Sequence, residues 1–348
     1  MAARPAADRL HEARLTAQLL AGRPAPDPVA VAERLLAIQA QDPRGARLAV
    51  RARSRCVSAA DIDRELTERR SLVITWLNRG TLHLVRREDY AFLHALTTPQ
   101  LMTASATRLR QEGVGLTQID RGLELIRRGL AEHGPLTRPQ LRERLETAGV
   151  PVAGQAMAHL MFRAGLAGIS VRGPMVGRQH AYVLVEDWLG PVQPVPRDRA
   201  LAELARRYLA GHGPATDRDL ARWAGLPLRD ARAGLQSIAG ELAQGSDGLV
   251  DLAARPRAAS LPPPRLLGTF EPLLLGWTSR TQVLGDDPRS IVAGGMFRSF
   301  AMVGGRAVAE WRLSGQDVEI DPFGPLSDDD AAALERDGVR LRSFLGVG

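Results

Sequence analysis

An internal repeat constrains this chain more than any other feature. Arg127-Arg128-Gly129-Leu130-Ala131-Glu132-His133-Gly134-Pro135-Leu136-Thr137 is matched by Arg206-Arg207-Tyr208-Leu209-Ala210-Gly211-His212-Gly213-Pro214-Ala215-Thr216, and each copy is followed by a leucine, Leu141 or Leu220. Glycine after histidine suits a helix end, proline cannot continue that helix, and threonine caps a new one. The pattern is the entry to a helix-turn-helix, written twice. Leu19-Leu20-Ala21-Gly22-Arg23-Pro24 is a diverged third copy. The chain therefore reads as three tandem units and not as one long fold.

Each unit also carries strand signals. In the first, helices are expected over 9–20, from Pro28 onward with Asp27 as cap, and over 60–68. Two β-rich runs, Ser71 to Leu77 and Thr81 to Val85, then flank Asn78-Arg79-Gly80, which reads as a hairpin turn. A helix is expected from Arg86 to Leu96. The second unit continues through a helix at Gln155 to Arg163 into strand, basic turn and strand over 169–184. The third has helices near 201–210, 216–224 and 228–243 and a wing region near 249–283, within which Leu261-Pro262-Pro263-Pro264 must be a loop. In the tail, Phe300-Ala301-Met302-Val303 and Ala307-Val308-Ala309-Glu310-Trp311 should pair about Gly304-Gly305, and Ser327 should cap a last helix. Helices followed by a hairpin outline a winged helix. The expected fold is α+β: winged-helix domains at 1–115, 116–190 and 191–285, with a C-terminal hairpin and helix at 286–348.

Composition narrows the chemistry. The formal charge is +7, which points to a polyanionic partner, nucleic acid first. All 46 basic residues are arginine, so no lysine Schiff base, P-loop lysine or pyridoxal-phosphate anchor is available. Cys56 is the only cysteine, which excludes disulfides and thiolate zinc sites within one chain. No His/Asp/Glu cluster has metal spacing, and neither a metal nor a cofactor is expected. No run of 18 apolar residues occurs, and Met1 to Arg9 lacks a signal-peptide core. The expected setting is the cytoplasm, in association with the nucleoid.

The candidate chemistry lies in Leu35-Leu36-Ala37-Ile38-Gln39-Ala40-Gln41-Asp42-Pro43. Val31, Leu35 and Ile38 can share one buried helix face. Pro43 disfavours helical geometry at Asp42, so the helix is expected to stop near Gln39 to Gln41. In an extended segment the two glutamines would point the same way. Two amides so placed can hold a water and present carbonyl dipoles to a developing positive charge. From spacing alone the plainer reading, exposed polar residues at a helix end, is preferred.

A resemblance changes that balance. Gln39-Ala40-Gln41-Asp42-Pro43, Trp76-Leu77-Asn78-Arg79-Gly80-Thr81-Leu82-His83 and Leu267-Gly268-Thr269-Phe270-Glu271-Pro272-Leu273-Leu274-Leu275-Gly276-Trp277 together resemble the AlkZ/YcaQ DNA glycosylases, over essentially the whole chain. The resemblance implies three winged helices forming a curved, basic, DNA-facing surface. It implies hydrolysis of the N-glycosidic bond of N7-alkylated purines, bulky adducts and interstrand crosslinks included, in self-resistance to DNA-alkylating natural products. It implies Gln39 and Gln41 as the catalytic pair of the AlkZ-like branch. The partner would be double-stranded DNA carrying alkylated purines, and the protein is expected to act as a monomer.

The chemistry is consistent with that implication. An N7-alkylated purine is cationic and leaves without a general acid, while the sugar gains oxocarbenium character. Glutamine is not a useful general base, so bond breaking must run ahead of water attack. Asp42 could supply a carboxylate, although helix termination suits it equally. Arg44, Arg79, Thr81 and His83 are candidate DNA contacts. Sheet packing for His83 and an ordinary turn for Arg79 fit as well. On the second wing Arg172, Arg178, Gln179 and His180 are further candidates, because wings touch backbone or minor groove. A non-catalytic winged-helix DNA-binding protein or transcriptional regulator is the competing reading. It would tolerate loss of both glutamines.

Overall fold

The computed structural model describes residues 6–55, 58–177, 179–285 and 291–347, so Cys56 and Arg178 lie outside the described residues. It is mixed α+β. Contacts divide it into two units, Met1–Asp63 with Leu201–Gly348, and Arg64–Ala200.

In the 64–200 unit, Leu72–Leu77 and Thr81–Arg86 pair antiparallel from Leu72↔Arg86 to Leu77↔Thr81, as the hairpin reading requires. Ser170–Val176 joins the other edge of Leu72–Leu77 and pairs in turn with Gln179–Leu184. Every residue of Leu72–Leu77 is buried, which is why its apolar run does not alternate. The helices Leu116–His133, Arg138–Thr147 and Ala156–Leu166 pack on this sheet through Ile119, Ile126, Leu141, Met157 and Leu160, around Trp76 and Tyr182. The repeat behaves as its chemistry dictates. Gly134 ends the first helix at φ +70, and Gln140 accepts from the Thr137 N–H to box the next.

The second copy lies at the end of Arg197–His212, where Thr216 Oγ1 accepts from the Asp219 N–H and opens Asp217–Ala224. Its histidine fares differently. His133 is exposed, whereas His212 is buried and stacks on Tyr208 at 4.8 Å, with Trp223 and Trp277 around it. Burial pushes His212 down to about 3, so it is neutral. Asp219 goes the other way. Burial alone would raise its pKa, but hydrogen bonds from Thr278 and Thr216 hold the carboxylate below its usual value.

Helix Leu228–Ser237 is followed by a short hairpin, Leu242–Gln244 with Val250–Leu252. Part of the segment expected to form the third wing belongs elsewhere. Arg265–Leu267 pairs with Phe300–Val303, in a four-stranded sheet completed by Arg306–Ser314 and Asp317–Pro322. Leu261 to Pro264 is a loop, as expected. The tail hairpin turns at Gly304-Gly305, and Ser327 caps Asp328–Leu345 by accepting from the Asp330 N–H. Asp337 on that helix accepts from both the Arg51 guanidinium and the Leu266 N–H.

Beneath these elements lies a fully buried ion pair, Arg53 with Glu271, both 0% exposed. Arg53 also donates to Gln18 Oε1, to the Gln18 carbonyl and to the Ala49 carbonyl. Glu271 Oε1 accepts from the Leu273 N–H and caps the short helix Pro272–Leu275. Removing one partner strands a buried charge, so Glu271→Leu should cost ~3–5 kcal/mol in urea unfolding. Arg53→Met combined with Glu271→Leu should recover part of that loss, the remainder reflecting the carbonyls that Arg53 satisfies.

Candidate functional site

The glutamine stretch is built by two turns. Asp27 accepts from the Ala30 N–H at 2.8 Å and starts helix Pro28–Leu35, with Pro28 at its first position. Val31, Leu35 and Ile38 are all fully buried, as their spacing suggests. The helix, however, stops at Leu35 and not near Gln39 to Gln41. Leu36 takes φ +64 and ψ −48, and the Ala37 N–H bonds to the Leu35 carbonyl at 2.7 Å. That is a γ-turn of the rare positive-φ kind, costly for a residue with a Cβ. It delivers the chain directly into an extended segment at Ile38–Gln39.

Pro43 also acts differently from expectation. It does not end the preceding helix; it opens the next, Pro43–Arg51, with Asp42 as its cap. The missing N–H of proline is harmless in the first turn. Asp42-Pro43 thus repeats the signal of Asp27-Pro28, and reading it as a start would have found this helix. Gln39 is 7% exposed and Ala40 1%, whereas Gln41 faces solvent. Arg44 is exposed in the first turn of the new helix, and Arg47 beyond it bonds Asp63 and the Pro43 carbonyl.

Asp42 uses both carboxylate oxygens. Oδ1 accepts from the Arg44 N–H at 3.0 Å, and Oδ2 accepts from Thr269 Oγ1 at 2.5 Å. Glycine makes this approach possible. A Cβ on Gly45 would fall 2.5 Å from the Thr269 carbonyl oxygen, and one on Gly268 would fall 3.1 Å from the Gly45 Cα. Sequence reasoning gave Thr269 no role; the contact spans 227 residues and leaves no local signal.

The remaining candidates lie in the 64–200 unit. Arg79 is exposed at the hairpin tip, between Asn78 at φ +52 and Gly80 at φ +82. Thr81 is half-buried, and its hydroxyl lacks a hydrogen-bond partner. His83 is buried within the sheet, its Nδ1 2.9 Å from the Thr81 carbonyl. Burial, reinforced by the charge of Arg79, pushes it down to about 3. His83 is thus buried and neutral.

On the second hairpin Gln179 is exposed, while His180 is buried with Nδ1 2.9 Å from the Gly173 carbonyl. Arg172 is half-buried, its guanidinium 4.3 Å above the Tyr182 ring and 5.3 Å from the Trp76 ring. Its pKa is lowered, chiefly by burial, with Arg138 adding to the effect and Tyr182 opposing it. Of the described candidates, Arg44, Arg79 and Gln179 are exposed. Asn78 was overlooked in the sequence: it is 1% exposed, and neither atom of its amide has a hydrogen-bond partner. Among the described residues no three His, Cys, Asp or Glu side chains cluster to hold a metal, and no helix is long and apolar enough to cross a membrane.

Comparison with known proteins places this geometry in context. A curated relative, "Interstrand DNA cross-link repair glycosylase" of Streptomyces sahachiroi, is 28% identical over 365 residues, covering 96% of this chain and 95% of its own. The solved structure of the Streptomyces sahachiroi DNA glycosylase AlkZ superposes with a TM-score of 0.80 at 26% identity, covering 99% of this chain and 98% of that one. The family model described as "DNA glycosylase AlkZ-like" matches residues 32–344, and the chain belongs to that family.

Proposed function

We propose that this protein is a monofunctional DNA glycosylase that hydrolyses the N-glycosidic bond of N7-alkylated purines in duplex DNA, bulky adducts and interstrand crosslinks included. One observation carries the reading: Gln39-Ala40-Gln41 lies on a short connection, extended at Ile38–Gln39 and bent at Gln41, fixed by a γ-turn on one side and a capped helix on the other. Glutamine amides are weak acids and bases, so such fixing suits them for electrostatic work and for little else. The alkylated purine leaves as a neutral base because its charge is already in place. As it departs, the amide oxygens of Gln39 and Gln41 face the growing positive charge on the sugar and orient the incoming water. Gln41, exposed, is the amide that substrate reaches first.

The rest of the notional machine follows from the same chemistry. The three helix-and-hairpin units act as tandem winged helices within domains 1–115, 116–190 and 191–285. Arg44, Arg79 and Gln179 meet the DNA backbone, together with Arg178. Arg172 and Thr81 contribute from half-buried positions, and His83 and His180 support the two hairpins from within the sheet. With three DNA-binding units in one chain, a monomer suffices. The setting is the cytoplasmic nucleoid, and a relative that repairs interstrand crosslinks makes crosslinked DNA the first substrate to offer.

Three outcomes are expected. In single-turnover assays on duplex DNA, wild type releases N7-methylguanine and a bulky N7-adduct, while Gln39→Ala and Gln41→Ala each lose about 100-fold. The abasic strand stays intact until alkali is added, because no lysine is present to form a Schiff base. DNA binding without base release would return the protein to the regulator reading, and release untouched by either substitution would take catalysis away from the glutamines. The release rate should also be flat from pH 5.5 to 8. His83, pushed down to about 3 by burial, stays neutral throughout that range, and neither glutamine titrates.

A further inference from the structure

Thr269 is distant in sequence from the glutamines, yet it holds the residue that follows them. Its hydroxyl donates to Asp42 Oδ2 at 2.5 Å, while Asp42 Oδ1 takes the Arg44 N–H. Both carboxylate oxygens are thereby engaged, one by the helix cap and one by a group from the far end of the chain. A hydroxyl-to-carboxylate bond of this length is charge-assisted and strong.

The surrounding backbone is arranged around this contact. Gly45 and Gly268 let the helix Pro43–Arg51 lie directly on the 267–270 segment, as their missing Cβ atoms require. Phe270 then takes φ +52, a conformation that a phenylalanine rarely adopts, and its N–H is held by the Phe297 carbonyl. At the other end of the same helix, Arg53 pairs with Glu271. The helix that begins two residues after Gln41 is thus fastened at both ends to one short segment, 268–271.

We propose that Thr269, acting through Asp42, is a positioning residue for the Gln39–Gln41 segment, and that Asp42 is the fixed end of that segment and not a base for water. This rests on the glycosylase reading above. Without the Thr269 hydroxyl, Oδ2 of Asp42 would turn to solvent, and the backbone before it would lose its downstream anchor. The Leu36 turn would hold only the upstream end.

The test is Thr269→Val, which keeps volume and branching and removes the donor. Thr269→Ser is the rescue and Asp42→Asn the second variant, since asparagine still caps a helix but loses the charge that the hydroxyl binds. Single-turnover release of N7-methylguanine is measured with each, alongside duplex affinity and thermal melting. Thr269→Val should lower the release rate 10- to 30-fold with affinity changed less than 3-fold, and Thr269→Ser should stay within 3-fold of wild type. Asp42→Asn should fall by a similar factor, the double variant no further, and every pH profile should keep its shape. A wild-type rate in Thr269→Val, or a loss confined to affinity, overturns the proposal. So does a loss above 1000-fold in Asp42→Asn alone with a new pH dependence, which would mark Asp42 as a base. If Thr269→Val does not fold, Asp42→Asn decides by the same criteria. Gln39→Ala and Gln41→Ala separate the two levels. If they are inactive while Thr269→Val is normal, only the positioning role fails; if they are fully active, catalysis does not rest on the glutamines and the positioning role falls with it; if wild type releases no base, the glycosylase reading itself fails.

Discussion

Arg53 and Glu271 form a pair with no exposure to solvent, within the unit made of Met1–Asp63 and Leu201–Gly348. A buried guanidinium needs more than one acceptor, and here Gln18 and Ala49 supply the others. The result ties together the first helix, the end of the Pro43–Arg51 helix and the segment that caps Pro272–Leu275. Such a pair contributes little net stability over an apolar replacement. Its effect is on register: the arginine fork fits one arrangement of three chain segments, one of them the helix that follows the glutamine stretch.

Local signals in the sequence were legible because their chemistry is local. The two His-Gly-Pro-x-Thr segments end one helix and start another, the Asn78-Arg79-Gly80 turn joins two paired strands, and Ser327 caps the last helix. Asp27-Pro28 was readable by the same rule. Asp42-Pro43 was legible too, but a proline after an apolar helix face fits either a stop or a start, and only packing decides between them. Leu36 could not have been read at all. Nothing in a leucine announces φ +64; the surrounding core forces it there by burying its side chain completely. Pairing of Arg265–Leu267 with Phe300–Val303 was similarly hidden, since a three-residue strand carries too little pattern to name its partner.

Of the candidate site, the glutamines came from motif and resemblance, and their environment came only from the structure. The histidines show the limit of residue type as a guide. His83 and His180 were read as DNA contacts, but each lies in a run of buried strand residues, where a backbone carbonyl faces its Nδ1. Arg172 lies between these cases, with its charge spread over two aromatic faces. Positive charge in this chain thus serves two purposes: exposed arginines meet solvent, while Arg53 and Arg172 organise the interior.

The discontinuity of the unit made of Met1–Asp63 and Leu201–Gly348 bears on how the protein is made. Arg53 and Glu271 are 218 residues apart, and Asp42 and Thr269 are 227 apart. At ~5–20 residues per second, ribosomes need on the order of 10–40 s to supply the second partner after the first. During that interval the glutamines already exist on a nascent chain that has no fixed geometry for them. Translation that aborts before Thr269 leaves fragments containing the complete glutamine motif without the scaffold that orders it. The assembled arrangement around Asp42 and Arg53 can therefore form only on chains extended past Glu271.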